Sequence, residues 1–153
     1  MQYTTDQLAM TISSKLPTAE DINVYGSPDE ASACEHFLHK TLAEAEGLFR
    51  ENSAYYQEDL MWMGPKAFQF YLQSVIQYLH SPDAAEDDHF IDCLYEIVMF
   101  RMNQAGFSLA TDRVVQMIDY ILNHFEKFKV DPEIYGDLRG KYTTLQRQIS
   151  TSG

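Results

Sequence analysis

Glu86 and His89 stand three residues apart, the Glu-x-x-His spacing with which helix bundles hold paired metals. Such a centre needs the motif twice, on facing helices, and the chain has no second copy. The pair also falls where a loop passes into a helix. The stretch "CEHFLH" brings three zinc-capable side chains together, Cys34, His36 and His39. On one helix Cys34 turns to the apolar side and the two histidines to the polar side. The three do not converge, and the histidines read as solvated. No metal and no cofactor is expected. There is no G-x-S-x-G elbow and no glycine-rich phosphate loop. A nucleophilic thiol would have to be Cys34 or Cys93, and both fall in apolar stripes, where burial makes a thiol inert. Two buried, reduced cysteines are expected, with the cytosol as the simplest compartment.

Two polar features carry more. Arg101 follows Met99 and Phe100 in the most apolar part of the chain. A charge there either snorkels to the rim or pairs with a carboxylate. A ligand-binding arginine is the functional alternative. The acidic run Asp83, Glu86, Asp87 and Asp88 continues through Asp92 and Glu96. Read structurally, it is a solvated loop whose acids favour the following helix N-terminus. Read functionally, it is a docking surface for a basic partner, because clustered charge of one sign raises encounter rates and selects by complementarity. Trp62, Phe70, Tyr55 or Tyr56 would supply aromatic anchors beside it.

The charge balance points the same way. The net charge of −12 argues against nucleic acid and against an anionic membrane, both of which call for excess Lys and Arg. The acidity lies in residues 1–126, and the last helix is mildly basic. With 45% hydrophobic and 22% charged residues the composition is that of a globular domain, and 153 residues suffice for a core without metal or disulfide. The opening "MQYTTDQLAMTISSKLP" lacks a basic start followed by an apolar run, so no secretory signal is expected there. No apolar stretch approaches the ~18 residues that span a bilayer.

The elements that must position these residues are helices. Apolar spacing of 3 and 4 recurs, and no strand alternation is found. A short helix is expected over Asp6–Lys15. "SPDE", Ser27 to Glu30, forms a capping box with Pro28 at the first helical position. The helix it opens is predicted to run to about Glu51, with Cys34, Phe37, Leu38, Thr41, Leu42, Ala45, Leu48 and Phe49 as its stripe. "ENSAYYQEDLMWMG" reads as a turn or short helix. Pro65 then starts a helix over 65–80, with Phe68, Tyr71, Leu72, Val75, Ile76 and Leu79 on one face. Phe70 points away from that face, so either the helix is covered on two sides or Phe70 is exposed. The helix at 88–104 is apolar almost all round, the mark of a helix in the middle of a bundle. Another follows over 111–129. The last repeats Tyr135, Leu138, Tyr142, Leu145 and Ile149 as a narrow seam over 133–149. These predict one all-α domain over residues 1–150, a bundle of five to six helices, with a loose tail at 151–153.

The segment "YYQEDLMWMGPKAFQFYLQSVIQYLH" resembles one found in an uncharacterised bacterial family of small acidic helical proteins, where "flxpxAFxYYLpxxxxYL" opens a helix. The matching residues are Met63, Gly64, Pro65, Ala67, Phe68, Phe70, Tyr71, Leu72, Tyr78 and Leu79, within a segment of about a sixth of the chain. Gln73 stands where that pattern often has Pro. The resemblance implies a small helical domain and no known activity, so no functional residue is carried over. In composition the chain is also similar to bacterial immunity proteins.

The expected function is therefore a non-catalytic, cytoplasmic, acidic protein-binding module, in its most concrete form an inhibitor of a basic partner such as a toxin. Asp83, Glu86, Asp87, Asp88 and Asp92, with Trp62 and Phe70, would bind that partner. One alternative is a small-ligand binder or enzyme with an interhelical pocket lined by Tyr71, Tyr95 and Arg101. Another is a homo-oligomer, such as a homodimer through the 133–149 helix.

Overall fold

A computed structural model of the chain describes residues 15–152. Every regular element among them is helical. The helix expected over Asp6–Lys15 lies almost wholly outside the described residues.

The first described helix, α1 (Ala19–Ile22), is a single turn closed by a capping box between Thr18 and Asp21. α2 (Pro28–Phe37) starts at the box of Ser27 and Glu30, as the sequence predicts. Glu30 does more than cap. Its carboxylate also accepts from the N–H groups of Val24 and Tyr25, at 2.8 and 2.9 Å, and so closes the loop between α1 and α2.

α2 does not continue to Glu51. Leu38 is extended and His39 takes a left-handed φ of 67°, so the chain turns. A new capping box, Thr41 with Glu44, then opens α3 (Leu42–Trp62). The residues predicted to form a turn or short helix are the second half of α3. It bends at Asn52, whose extended backbone breaks the helix while its side-chain oxygen accepts from Tyr55 N at 3.1 Å, an internal N-cap.

α4 (Pro65–His80) is the most enclosed helix. It packs against α1, α3 and α6 (Thr111–Asn123). Its predicted stripe is buried, and so are Phe70, Ser74 and Tyr78 on other faces. Phe70 is therefore covered, with Leu16, Pro17 and Thr18 beside it on the path into α1.

α5 (Asp88–Arg101) is not in the middle of the bundle. Phe90, Ile91, Leu94, Ile97, Val98 and Arg101 are buried, while Met99 and Phe100 face solvent. Its other exposed side is acidic, which the count of apolar residues conceals. α6 ends at Asn123, and a 3-10 turn (Phe125–Phe128) completes the stretch predicted as helix to Lys129. The last stretch divides at Gly136, whose φ is 70°, into α7 (Pro132–Tyr135) and α8 (Leu138–Ser152). α8 carries on through Ser152, into the tail expected to be loose. It packs on α6 and α5. Leu138, Tyr142, Leu145 and Ile149 of the predicted seam are buried in the chain's own core. Tyr142 is completely covered, and its hydroxyl donates to the Ile91 carbonyl at 2.6 Å.

Buried residues from Ile22 to Ile149 form one continuous core. No helix among the described residues is long and apolar enough to cross a membrane. Gly64 marks the tightest join. Its N–H donates to the Ile22 carbonyl at 2.9 Å, and a Cβ there would lie 2.1 Å from Asp21 O. Only glycine lets α1 come this close to the start of α4.

Candidate functional site

The second half of α3 and the whole of α5 run side by side in the same direction. At their starts Ser53 Oγ donates to Asp87 Oδ2 at 2.6 Å. At their ends the rings of Trp62 and Phe100 meet edge to face, with centroids 5.4 Å apart. No Lys or Arg occurs on α3 after Arg50 or on α5 before Arg101. Between the two ends lies Cys93. Burial pushes its thiol up to about 11, helped by the negative charges of Asp92, Asp87, Glu58 and Glu96. The thiol thus registers carboxylates from both helices around one point. Glu58 and Glu96 are exposed, and Asp92 is half-buried. Trp62, Met99 and Phe100 are each more than a third exposed and continue this face beyond Glu58 and Glu96.

The acids predicted to bind a partner do not all serve this face. Asp87 accepts from both Ser53 Oγ and the Tyr78 hydroxyl, the latter at 2.7 Å, so it ties α3, α4 and α5 together. Asp83 lies 3.4 Å from Arg50 Nε. Burial, and after it the negative charge of Asp88, holds the Tyr135 phenol above its usual range. Glu86 is exposed with a left-handed φ of 66°, in a turn whose N–H donates to the Lys127 carbonyl. Only Asp92 of the predicted set belongs to the row with Glu58 and Glu96. Phe70 is buried and cannot serve as an anchor; Trp62 is exposed.

Tyr71, Tyr95 and Arg101 do not share a pocket. Tyr71 is wholly buried, and its hydroxyl donates to the carbonyls of Phe37 and Lys40 where α2 turns into α3. Tyr95 lines an open cleft with Lys141 and Thr144 of α8. Arg101 lies elsewhere, at the far end of α5.

Arg101 is 7% exposed, and it has no carboxylate within ion-pair distance among the described residues. The ion pair expected for it is replaced by a helix end. Its Nη1 donates to the carbonyls of Leu60, Met61 and Met63 at 3.0, 3.0 and 2.7 Å, groups that a helix C-terminus leaves without partners. The guanidinium also lies over the Phe68 ring, with Cζ 4.2 Å from its centroid. Burial lowers its pKa to about 10, so it stays charged at neutral pH.

A further link was hidden in the sequence. His36, expected to be solvated, is half-buried, with Nδ1 2.7 Å from the buried Asp59 carboxylate and Nε2 3.2 Å from the Tyr55 hydroxyl. Burial holds Asp59 above its usual range, and the histidine partly offsets this. The trio pins α2 to the second half of α3. The signal available was an acid on the apolar side of α3, one residue before Leu60. The ring of His89 lies beside Cys93 Sγ, at 3.6 Å, but a thiol raised this far is a poor nucleophile. No three His, Cys, Asp or Glu side chains among the described residues group as a metal site. Cys34 and Cys93 are free and half-buried rather than fully buried.

Comparison with protein-family models, curated proteins and solved structures finds no match. The reading of function therefore rests on this geometry.

Proposed function

We propose that the chain is a non-catalytic recognition module that binds a cationic protein through the α3–α5 face. What carries this reading is one composite surface. Carboxylates from two parallel helices, Glu58, Asp92 and Glu96, act together on Cys93 and lead to the exposed Trp62–Phe100 pair, with no Lys or Arg on α3 after Arg50 or on α5 before Arg101. Such a surface steers a basic partner by charge and holds it through an aromatic anchor. In its most concrete form the module is an inhibitor, of the kind an immunity protein is for a basic toxin. The two unpaired cysteines suit action in the reducing cytosol.

The test is capture of partners with the tagged chain at low salt, then measurement of the captured protein's affinity in solution. A triple variant carrying Glu58→Lys, Asp92→Lys and Glu96→Lys is measured beside the parent. The expected outcome is a basic protein bound at least about tenfold more weakly at 0.5 M salt, with binding abolished by the variant while its helical content is unchanged. Binding indifferent to both salt and charge reversal, or no capture at all, would sink the proposal.

A further inference from the structure

Beside the aromatic end of that face lies a cavity of about 260 Å³, lined among others by Tyr25, Glu30, Trp62, Pro65, Phe100 and Arg101. It is a little smaller than the ~300–1,000 Å³ of pockets that take drug-sized ligands. Two features set it apart from a crevice left by packing.

First, it is walled by a cation and an anion that are each more than nine-tenths buried, and these do not pair with each other. Buried opposite charges in one cavity ordinarily meet, because desolvation is costly to both. Here each is held by backbone instead. Arg101 is fixed through Nη1 alone. Its Nε and Nη2 have no partner among the described residues. Arg101 lines the cavity, and that edge is free of any described partner there. Glu30, also on the lining, is held by the loop N–H groups. Burial alone would raise its carboxyl, but hydrogen bonds from Ser27, Tyr25 and Val24 outweigh this and keep it below the usual range, so it is ionised. One of its oxygens accepts from Val24 and Tyr25, and the other only from Ser27 among backbone donors. That second oxygen has capacity for another donor.

Second, the rest of the lining is apolar and aromatic, with Trp62 and Phe100 at the mouth in edge-to-face contact. A guanidinium edge, a carboxylate and an aromatic slot within one small volume define a ligand with three matching parts.

We propose that this cavity binds a small zwitterion, a free amino acid with a large apolar side chain: its carboxylate on the Nε–Nη2 edge of Arg101, its ammonium toward Glu30, its side chain against Trp62 and Phe100. The planar fork of an arginine suits a carboxylate better than any other cationic side chain. A ligand lacking either charge would leave one wall unmatched, which is how sites with buried polar groups reject analogues. The site does not depend on the carboxylate row and would stand without a cationic partner.

Trp62 is the only tryptophan, so its emission reports on the mouth of the cavity. The first experiment is titration of the native chain with L-phenylalanine, L-leucine and L-methionine, followed by Trp62 fluorescence and by amide chemical shifts. 3-Phenylpropionate and 2-phenylethylamine, which lack the ammonium and the carboxylate in turn, run in parallel. The expected result is saturable binding of at least one amino acid, with shifts centred on Tyr25, Trp62 and Ala105. Each single-charge analogue should bind at least about tenfold more weakly. Phe100→Ala, a change at an exposed ring that leaves the fold intact, should weaken binding several-fold. No saturable change with any of the three amino acids overturns the proposal. So do analogues that bind as well as the parent, or shifts centred elsewhere.

Discussion

Arg101 ends one helix and stabilises another, and its removal separates its two roles. Arg101→Met keeps the side-chain bulk but leaves the carbonyls of Leu60, Met61 and Met63 without their donor. Each buried acceptor so orphaned costs about 1–3 kcal/mol. A loss of about 3 kcal/mol or more is expected, read by urea unfolding, and a loss below about 1 kcal/mol would show that the three bonds are incidental. Cys93 supplies the second prediction at this scale. With its thiol pushed up to about 11, only about one thiol in a thousand is ionised at pH 8. Alkylation of the folded chain at pH 8 should label Cys93 very slowly, then speed up about tenfold per pH unit toward pH 11, with peptide mass spectrometry as the readout. Asp92→Asn combined with Glu96→Gln should bring that rise to lower pH, since both charges hold the proton on. Labelling of Cys93 at pH 8 as fast in the folded chain as in urea would contradict the raised thiol.

Helix type was legible from spacing alone, while helix ends were legible only where a capping signal was weighed against that spacing. The stripe from Cys34 to Phe49 looks like one helix because the break at Leu38–Thr41 spans about one helical turn of sequence, which leaves the 3-4 rhythm in step. Thr41 and Glu44 had the spacing of a capping box and marked the new start. Asn52 inside α3 was similarly readable as a cap, but the irregular spacing that follows it reads as a turn or short helix. α5 misled in a different way: Met99 and Phe100 are apolar yet lie on the solvent side, where no periodicity argument distinguishes an exposed aromatic from a buried one. The carboxylate row could not be found by sequence neighbourhood, because Glu58 joins Asp92 and Glu96 only through the pairing of α3 with α5. The join of α1 to α4 gives the test at this scale. Gly64→Ala places a methyl against the backbone oxygen of Asp21 in α1 and against the Val24 side chain. A cost of about 1–3 kcal/mol is expected from such overpacking, measured by thermal or urea unfolding. An unchanged midpoint would mean that α1 rides loosely on the bundle.

Over the whole molecule, burial decides which surfaces are free to meet anything. The seam of the last helix has the spacing of a dimer interface, but its residues complete the chain's own core. Tyr142→Lys should therefore unfold the chain, seen as loss of cooperative melting. A folded chain of reduced mass in solution would instead reveal an oligomer built on that face. Charge reversal along the α3–α5 face should do the opposite, changing association and leaving the melting midpoint nearly fixed. The parallel course of those two helices has one more consequence. Each helix carries a dipole with its negative end at the C-terminus, roughly half an elementary charge. Laid side by side in the same sense, α3 and α5 bring both negative ends to the place where Trp62 meets Phe100. Arg101 stands there and answers both. A cation arriving from outside would thus find the attraction at the aromatic end already balanced from within. The unbalanced field lies farther back along the row, beside Glu58, Asp92 and Glu96, and it is there that a partner's lysines and arginines belong, with its apolar side chain resting on the two rings.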